Sequence, residues 1–172
     1  MIERATSADA RTLSELGTAT FVAAFGHLYR REDLDAFLAQ SHSEARYSTI
    51  LGNPNTAVWL ARDESGQAIA YAVAGRCGLP VPDLEPAAGE IKRLYVTPPG
   101  QNGGLGSELM NTMLDWLASA GRDPLYVGVW SQNYGAQRFY QRYGFEKVGE
   151  YEFPVGRQLD IEFILRRPSR RE

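Results

Sequence analysis

LYVTPPGQNGGLGS, residues 94–107, is typical of a short apolar strand that runs through a glycine-rich loop into a helix. Glycines let a backbone approach a ligand closely, and the first turn of a helix presents unpaired N–H groups at the positive end of its dipole. The loop lacks the Gly-Lys-Ser/Thr ending of a Walker site and the Gly-x-Gly-x-x-Gly spacing of dinucleotide-binding folds. We therefore predict that residues 101–107 form a pyrophosphate cradle made of backbone, the alternative being that the glycines only make a tight loop.

The residues on either side of this loop alternate between helix-like and strand-like patterns. Apolar residues recur at helical spacing in 105–120, and strand-like runs at 56–61 and 68–75 are separated by turn residues. The helix lies between strand-like segments 90–96 and 125–130, which predicts a βαβ crossover and hence an α/β fold with a mixed sheet. The other predicted helices begin at Ser7 and cover 31–39, 43–51 and 133–143, and the other predicted strands cover 2–5, 145–153 and 156–165.

The length and composition of the chain predict one domain, residues 1–172. The proline-rich segment 79–89 is expected to be a surface loop, because neither flank carries a complete core of its own. The longest apolar stretch, 68–75, is far shorter than the ~20 residues that a membrane span needs. A single cysteine allows no internal disulfide, and no apolar signal segment follows the first residues, so we expect a cytoplasmic protein with no membrane partner.

The charge balance argues against a nucleic-acid partner. Eighteen basic and twenty-one acidic residues give a net charge of −3, which offers no general attraction for phosphates. The arginines within 166–171 are typical of a solvated tail. Two separated histidines and one cysteine do not supply the three or four ligands of a zinc site, so we expect no metal.

A second group of residues shares one face of the predicted helix 133–143. Asn133, Ala136 and Tyr140 are spaced by three and four, which brings an amide, a small residue and a phenol together. Aromatic residues at such spacing usually belong to the core. Glu90 opens the strand before the glycine loop, where its carboxylate could act as a base or only decorate an edge. Each of these residues, taken alone, is explained more readily by a structural role than by a chemical one.

Together, these segments strongly resemble the acetyl-CoA-binding core of the GCN5-related N-acetyltransferases, the GNAT family. The resemblance is tight over 90–150 and extends more loosely to most of the chain, where it is most similar to PaiA-type spermidine/spermine N-acetyltransferases. Its motif follows Leu94-Tyr95-Val96 and reads Gln101-x-x-Gly104-x-Gly106, then Asn133-x-x-Ala136-x-x-Phe139-Tyr140-x-x-x-Gly144-Phe145.

The resemblance implies a mixed, mostly antiparallel sheet with helices on both faces and a central parallel strand pair, 90–96 and 125–130, that splays apart around acetyl-CoA as co-substrate. Residues 1–89 would form the acceptor region and 90–150 the cofactor core. Gln101 stands where many relatives have arginine, so one cationic phosphate contact is missing. The implied cofactor-binding residues are Leu94, Tyr95, Val96, Gln101, Asn102, Gly103, Gly104, Leu105, Gly106, Ser107, Asn133, Ala136 and Tyr140.

The resemblance also implies direct acetyl transfer to an amine. Tyr140 is the family's usual acid, which protonates the leaving thiolate. Glu90 is the eleventh residue before Gln101, the interval at which a catalytic glutamate stands in the histone-modifying branch, and is the candidate base, directly or through water. A base is required because only about one primary amine in 2,500 is unprotonated at pH 7.

The acceptor is less closely defined by the sequence. A small-molecule amine is expected, with a polyamine favoured by the subfamily resemblance and an amino acid, peptide or protein amine left open. Asp33 and Asp35 could meet a second ammonium. A non-catalytic acetyl-CoA sensor is the alternative of another class, and the final hairpin offers an edge for a possible homodimer. The candidate acceptor-lining residues are Phe21, Phe25, His27, Tyr29 and Trp130.

Overall fold

In strands β2 (Thr56–Arg62) and β3 (Ala68–Arg76), successive residues alternate between two apolar cores. In the computed structural model, which describes residues 1–101 and 103–169, Trp59 and Ala61 face one core while Val58 and Leu60 face another. The helices are α1 Ala10–Phe25, α2 Arg31–Ser41, α3 Glu44–Leu51, α4 Leu105–Ser119 and α5 Tyr134–Gln141. The strands are β1 Ile2–Arg4, β2 Thr56–Arg62, β3 Ala68–Arg76, β4 Gly89–Val96, β5 Leu125–Trp130, β6 Glu146–Val155 and β7 Gln158–Arg167.

The seven strands form one sheet in the order β1-β2-β3-β4-β5-β7-β6. Only β4 and β5 run parallel, and α4 joins them as the crossover. The pairing of β4 with β5 covers three residue pairs and ends at Ile91 and Val127, although both strands continue. A bulge shifts the register of β3 with β4 between Val73 and Ala74. The predicted mixed sheet with a splayed parallel pair is confirmed.

Helices cover both faces of the sheet. The larger core lies under α4 and α5, where Leu109, Met113 and Leu117 pack against the sheet with Val127 of β5. On the opposite face, Leu13 of α1 packs with residues of α3, β2 and β3. We call these the α4 face and the α1 face. None of the helices in the described part of the chain combines the length and apolar character of a membrane span.

The last hairpin turns later than the sequence indicates. Pro154 and Val155 were expected in the turn, but both belong to β6, and the turn lies at Gly156 and Arg157. Because β6 is the edge strand of the sheet, a proline in it need not remove a hydrogen bond between strands. Gly156 has a φ of 58°, which permits the tight reversal.

Candidate active site

The splay between β4 and β5 opens into a cavity of about 540 Å³. Its walls come from both faces of the sheet. Leu94 and Ala136, which pack against the larger core, line the cavity on the α4 face, whereas Phe25 and Tyr29 line it on the α1 face. The cavity therefore passes through the sheet at the point where strand pairing stops, so a molecule on one face can meet a molecule on the other.

The glycine-rich loop leads directly into α4. Gly104, the residue before the helix, has a φ of 83°, a left-handed conformation that favours glycine. Among the described residues no side chain caps the helix there, which leaves its first amides to a ligand. Among the described residues, none lies within 4 Å of the position that a Cβ would take at Gly103 or Gly104, so there is room for a ligand beside these two glycines. Asn102, one of the predicted cofactor residues, lies outside the described residues.

The predicted cofactor residues fall into two groups. Five line the cavity: Leu94, Tyr95, Asn133, Ala136 and Tyr140. The other described ones, Val96, Gln101, Gly103, Gly104, Leu105, Gly106 and Ser107, follow the end of β4 through the loop into α4. The Gln101 amide donates to the carbonyl of Val96 at 3.0 Å, which ties the loop back to the strand.

Asn133 has a structural task as well. Its side-chain oxygen accepts from the backbone N–H of Ala136 at 3.1 Å and caps α5. This cap holds the start of α5 beside the end of β5. Consequently Asn133 and Ala136 lie together at the cavity wall, as their spacing predicts.

Tyr140 lines the cavity on the α4 face. Its ring packs against Phe139 and Phe145, and the residue is 8% exposed. Burial raises the pKa of its phenol, and the neighbouring Tyr95 adds to this effect. The hydroxyl makes no hydrogen bond to any of the described residues, so it remains available to a ligand in the cavity.

Glu90 lies on the α1 face of the cavity and is 8% exposed. Its Oε2 atom accepts from the Lys92 ammonium at 2.7 Å and from the backbone N–H of Gly78 at 2.8 Å. The carboxylate is thus fixed in position by an ion pair and a backbone donor.

Two further carboxylates, Asp160 and Glu162 of β7, reach the same cavity. The Tyr29 hydroxyl hydrogen-bonds to Asp160, and the Tyr151 hydroxyl donates to Glu162 Oε2 at 2.7 Å. Burial raises the pKa of Glu162, and the negative charges of Asp160 and Glu90 raise it further. The hydrogen bond from Tyr151 acts in the opposite direction and lowers this pKa. Neither acid is among the residues that the sequence predicts for the site, although their spacing of two in a strand places them on one face.

The aromatic wall contains four of the five candidate acceptor residues. Phe21, Phe25, Tyr29 and Trp130 line the cavity, and Phe25 meets Trp130 edge to face with ring centroids 5.8 Å apart. His27 is exposed on a short turn after α1 and does not line the cavity.

Asp33 and Asp35, which the sequence suggests for a second ammonium, do not line the cavity. Asp33 is buried beneath the β6–β7 turn, where it accepts from the backbone N–H of Arg157 at 2.9 Å, and Asp35 pairs with Arg31 on the surface of α2. Burial raises the pKa of the Cys77 thiol to about 11, so the thiolate is scarce at neutral pH.

A guanidinium also faces the cavity. Arg93 donates to the Tyr47 hydroxyl at 2.7 Å and to the carbonyl of Ser41 at 2.9 Å, and no carboxylate of the described residues forms an ion pair with it. Burial lowers the pKa of the adjacent His42 to about 3, and the charge of Arg93 contributes. His42 is therefore neutral, and Arg93 is a positive group of this cavity wall, which Lys92 and Arg46 also line. The described residues contain no group of three or more His, Cys, Asp or Glu placed to hold a metal ion.

Comparison with known proteins identifies the family. Residues 20–145 match the Acetyltransferase (GNAT) family. An N-acetyltransferase of Mycobacterium bovis, described as uncharacterised, is 28% identical over 157 residues, which cover 91% of this chain and 96% of the relative. Another from Lactobacillus delbrueckii subsp. lactis, also described as uncharacterised, is 26% identical over 153 residues, 86% of this chain and 85% of the relative.

Solved structures share the fold. The PaiA N-acetyltransferase of Thermoplasma acidophilum, in complex with coenzyme A, superposes with a TM-score of 0.75 over 98% of each chain at 16% identity. The ribosomal-protein-alanine N-acetyltransferase of Brucella melitensis gives a TM-score of 0.64 over 96% of this chain and 98% of its own at 22% identity. Because the family match spans well over half of the chain, the protein belongs to the GNAT family and is an acetyl-CoA-dependent N-acetyltransferase.

Proposed function

We propose that this enzyme transfers the acetyl group of acetyl-CoA to a primary amine of a small polycationic acceptor, a polyamine. The observation that carries the proposal is the cavity through the splayed strands, in which Tyr140 lies on the α4 face and three carboxylates, Glu90, Asp160 and Glu162, lie on the α1 face. Acetyl-CoA and the amine would approach from opposite faces and meet at the splay in a ternary complex.

The cofactor site that we propose combines the loop 101–107 with the free edge of β4. The backbone of the loop and the first turn of α4 would bind the pyrophosphate. Beyond Ile91, β4 has no pairing with β5, so its edge from Leu94 to Val96 is open for the pantetheine arm. Asn133 and Ala136 would line the other side of that arm.

Acid–base chemistry is assigned to two residues. Tyr140 would protonate the departing thiolate, because its neutral phenol is a donor with no partner among the described residues. Glu90 would be the base that takes a proton from the acceptor ammonium, directly or through a water, from its position in the cavity wall. A backbone N–H near Val96 would stabilise the negative charge on the thioester oxygen, a contribution of about 3 kcal/mol per donor.

A polycation fits the α1 face of the cavity. A buried carboxylate, Glu90, and two half-buried ones favour a bound ammonium, and the rings of Phe25, Tyr29 and Trp130 can shield its methylene chain and contact its charge. Asp160 lies two residues from Glu162 along β7, a spacing that allows two cationic groups of one acceptor to be held. Residues 1–89 would therefore supply only part of the acceptor site, because both acids come from the final hairpin.

Arg93 favours a second acceptor class. A half-buried guanidinium with no carboxylate partner among the described residues suits an acceptor that carries a carboxylate beside its amine, such as an amino acid or a peptide. Such an acceptor would place its ammonium near Glu90 and Glu162 and its carboxylate near Arg93.

The test is the release of free CoA thiol from acetyl-CoA with a panel of amines: spermidine, spermine, single amino acids, a short peptide and an aminoglycoside. Rapid release with the polyamines is the expected result. Release with amino acids or the peptide alone would replace the polyamine by the second class. Tight acetyl-CoA binding without turnover on any amine would contradict catalysis and favour a sensor.

A further inference from the structure

Glu162 lies where the parallel strands begin to separate. Its Oε2 atom lies over Gly128 of β5, close to the position that a Cβ on this glycine would occupy. Gly128 directly follows Val127, which is the last β5 residue paired with β4. The carboxylate is therefore held on the α1 face at the start of the splay, the point at which a thioester on the α4 face becomes accessible.

The space for this carboxylate depends on the absence of a side chain at Gly128. A Cβ there would lie 3.0 Å from Glu162 Oε2 and 3.1 Å from the Tyr151 hydroxyl, closer than nearly all ordinary Cβ contacts. The φ of Gly128 does not require a glycine, since it is not among the positive-φ residues. The missing side chain thus makes room for the Tyr151–Glu162 pair.

Glu162 differs from Glu90 in its partners. Glu90 Oε2 is occupied by the Lys92 ammonium and the Gly78 N–H, and a proton on Glu90 would cost the ion pair with Lys92. Glu162 has no cationic partner among the described residues, and its one hydrogen bond comes from the neutral hydroxyl of Tyr151. A proton can therefore be added to Glu162 without breaking an ion pair.

We propose that Glu162 is the group that accepts the proton of the acceptor ammonium, while Glu90, held by its ion pair with Lys92, binds that ammonium. This assignment rests on the proposed function and refines it: proton acceptance and ammonium binding, placed above on Glu90 alone, are divided between Glu90 and Glu162. Asp160, bonded to Tyr29, lies too far along β7 from Gly128 to share this position.

The surroundings of Glu162 act on its ionisation in opposite directions. Burial raises its pKa, as do the negative charges of Asp160 and Glu90, while the hydrogen bond from Tyr151 lowers it. A base whose pKa moves towards neutrality accepts a proton more readily at working pH. The charged or titratable groups near it on the surrounding strands and on the α1–α2 connection are Glu90, Tyr95, Tyr151, Asp160 and Tyr29.

The reaction balances with these residues. The ammonium gives one proton to Glu162, which later passes it to solvent, and the freed lone pair attacks the thioester carbon. The C–N bond forms, the C–S bond breaks, and the thiolate takes a proton from Tyr140. The acetylated nitrogen then loses its remaining extra proton, and this proton converts the Tyr140 phenolate back to the phenol. The products are the acetylated amine, CoA thiol and one proton.

The experiment compares Glu162→Gln, Glu90→Gln and the matched control Glu152→Gln, whose residue is exposed on β6. For each, kcat/KM for the best amine of the panel is measured from pH 5 to 9, and acetyl-CoA affinity is measured by calorimetry. For Glu162→Gln we expect kcat/KM to fall by about 100-fold, the acidic limb of the profile to disappear, and acetyl-CoA affinity to stay unchanged. For Glu90→Gln we expect a higher KM for the amine, while the acidic limb of the pH profile is retained.

A second variant covers the case in which Glu162→Gln does not fold. Tyr151→Phe removes the hydrogen bond that stabilises the ionised Glu162, so the acidic limb should move to higher pH. A Glu162→Gln enzyme within about threefold of the wild type that keeps its limb would overturn the proposal. So would loss of the limb in Glu90→Gln alone. Failure of the wild-type enzyme on every amine would instead contradict the proposed function itself.

Discussion

Tyr140 and Glu162 lie on opposite faces of one sheet and line the same cavity. Tyr140 belongs to the core on the α4 face with Val127, whereas Glu162 lies over Gly128, whose neighbours on β5 point the other way. The group proposed to give a proton and the group proposed to take one are thus separated by the splay between β4 and β5. Changing either one should leave the other in place, and this independence makes their roles separable by mutation.

Replacing Tyr140 with phenylalanine removes the proposed acid and keeps the ring that packs against Phe145. We expect kcat to fall by about 10- to 1,000-fold with little change in acetyl-CoA affinity, measured by steady-state kinetics and calorimetry. The control is Tyr134→Phe on the same helix, at a tyrosine that is 63% exposed. A near-wild-type kcat would remove Tyr140 from the mechanism.

Replacing Gly104 with alanine tests the cofactor loop. Gly104 and Gly121 flank α4, both have positive φ, and a Cβ at either would meet nothing within 4 Å. Each alanine variant should lose about 1 to 2 kcal/mol of unfolding free energy in urea titrations because of backbone strain. Only Gly104→Ala should also weaken acetyl-CoA binding, by about tenfold, because only that strain lies in the proposed cradle. Equal affinities in the two variants would argue against the loop as the phosphate site.

Replacing Gly128 with alanine should disturb the acceptor side alone. The new methyl group would push against Glu162 and the Tyr151 hydroxyl. We expect kcat/KM for the amine to fall by about tenfold or more while acetyl-CoA affinity is kept. Gly149→Ala is the matched strand control, since its Cβ would meet only Ile164 at 3.9 Å. Unchanged amine kinetics in Gly128→Ala would show that this space is not needed.

Replacing Asp160 with asparagine should weaken binding of a polycationic acceptor. Loss of one carboxylate at the Tyr29 contact is expected to raise KM for spermidine by about tenfold and to change KM for a monoamine much less. Asp35→Asn on the surface of α2 serves as the control. A similar increase for both amines would place Asp160 outside the second ammonium site.

His42 makes folding stability depend on pH. Burial and Arg93 lower its pKa to about 3 in the folded protein, below the ordinary value of 6.5. Between these values the unfolded chain binds a proton that the folded chain does not, so stability falls as the pH drops from about 6.5 towards 3, by at most about 1.4 kcal/mol per pH unit. Urea unfolding of the wild type and His42→Gln at pH 7 and pH 5 should show the smaller loss in the variant. An equal loss in both would mean that other groups cause the acid sensitivity.

Much of the fold follows from local patterns. The strand, glycine loop and helix from Leu94 onward, the crossover to 125–130 and the helical face of Asn133, Ala136 and Tyr140 are all apparent within short stretches of sequence, because caps, turns and apolar periodicity act over a few residues. Pro154 is the instructive exception: its place in β6 depends on β6 being an edge strand, which only the complete sheet determines.

The family resemblance, the βαβ crossover of the mixed sheet and the strand, loop and helix around residues 101–107 can all be recognised in the sequence, since each depends on short stretches of the chain. The tertiary structure alone brought Glu162 over Gly128, set Arg93 facing the same cavity and left His27 outside it. These relationships join residues 34 or more positions apart. They arise only because β7 pairs antiparallel with β5 and the β4–β5 pairing stops at Ile91, an arrangement that no local pattern encodes.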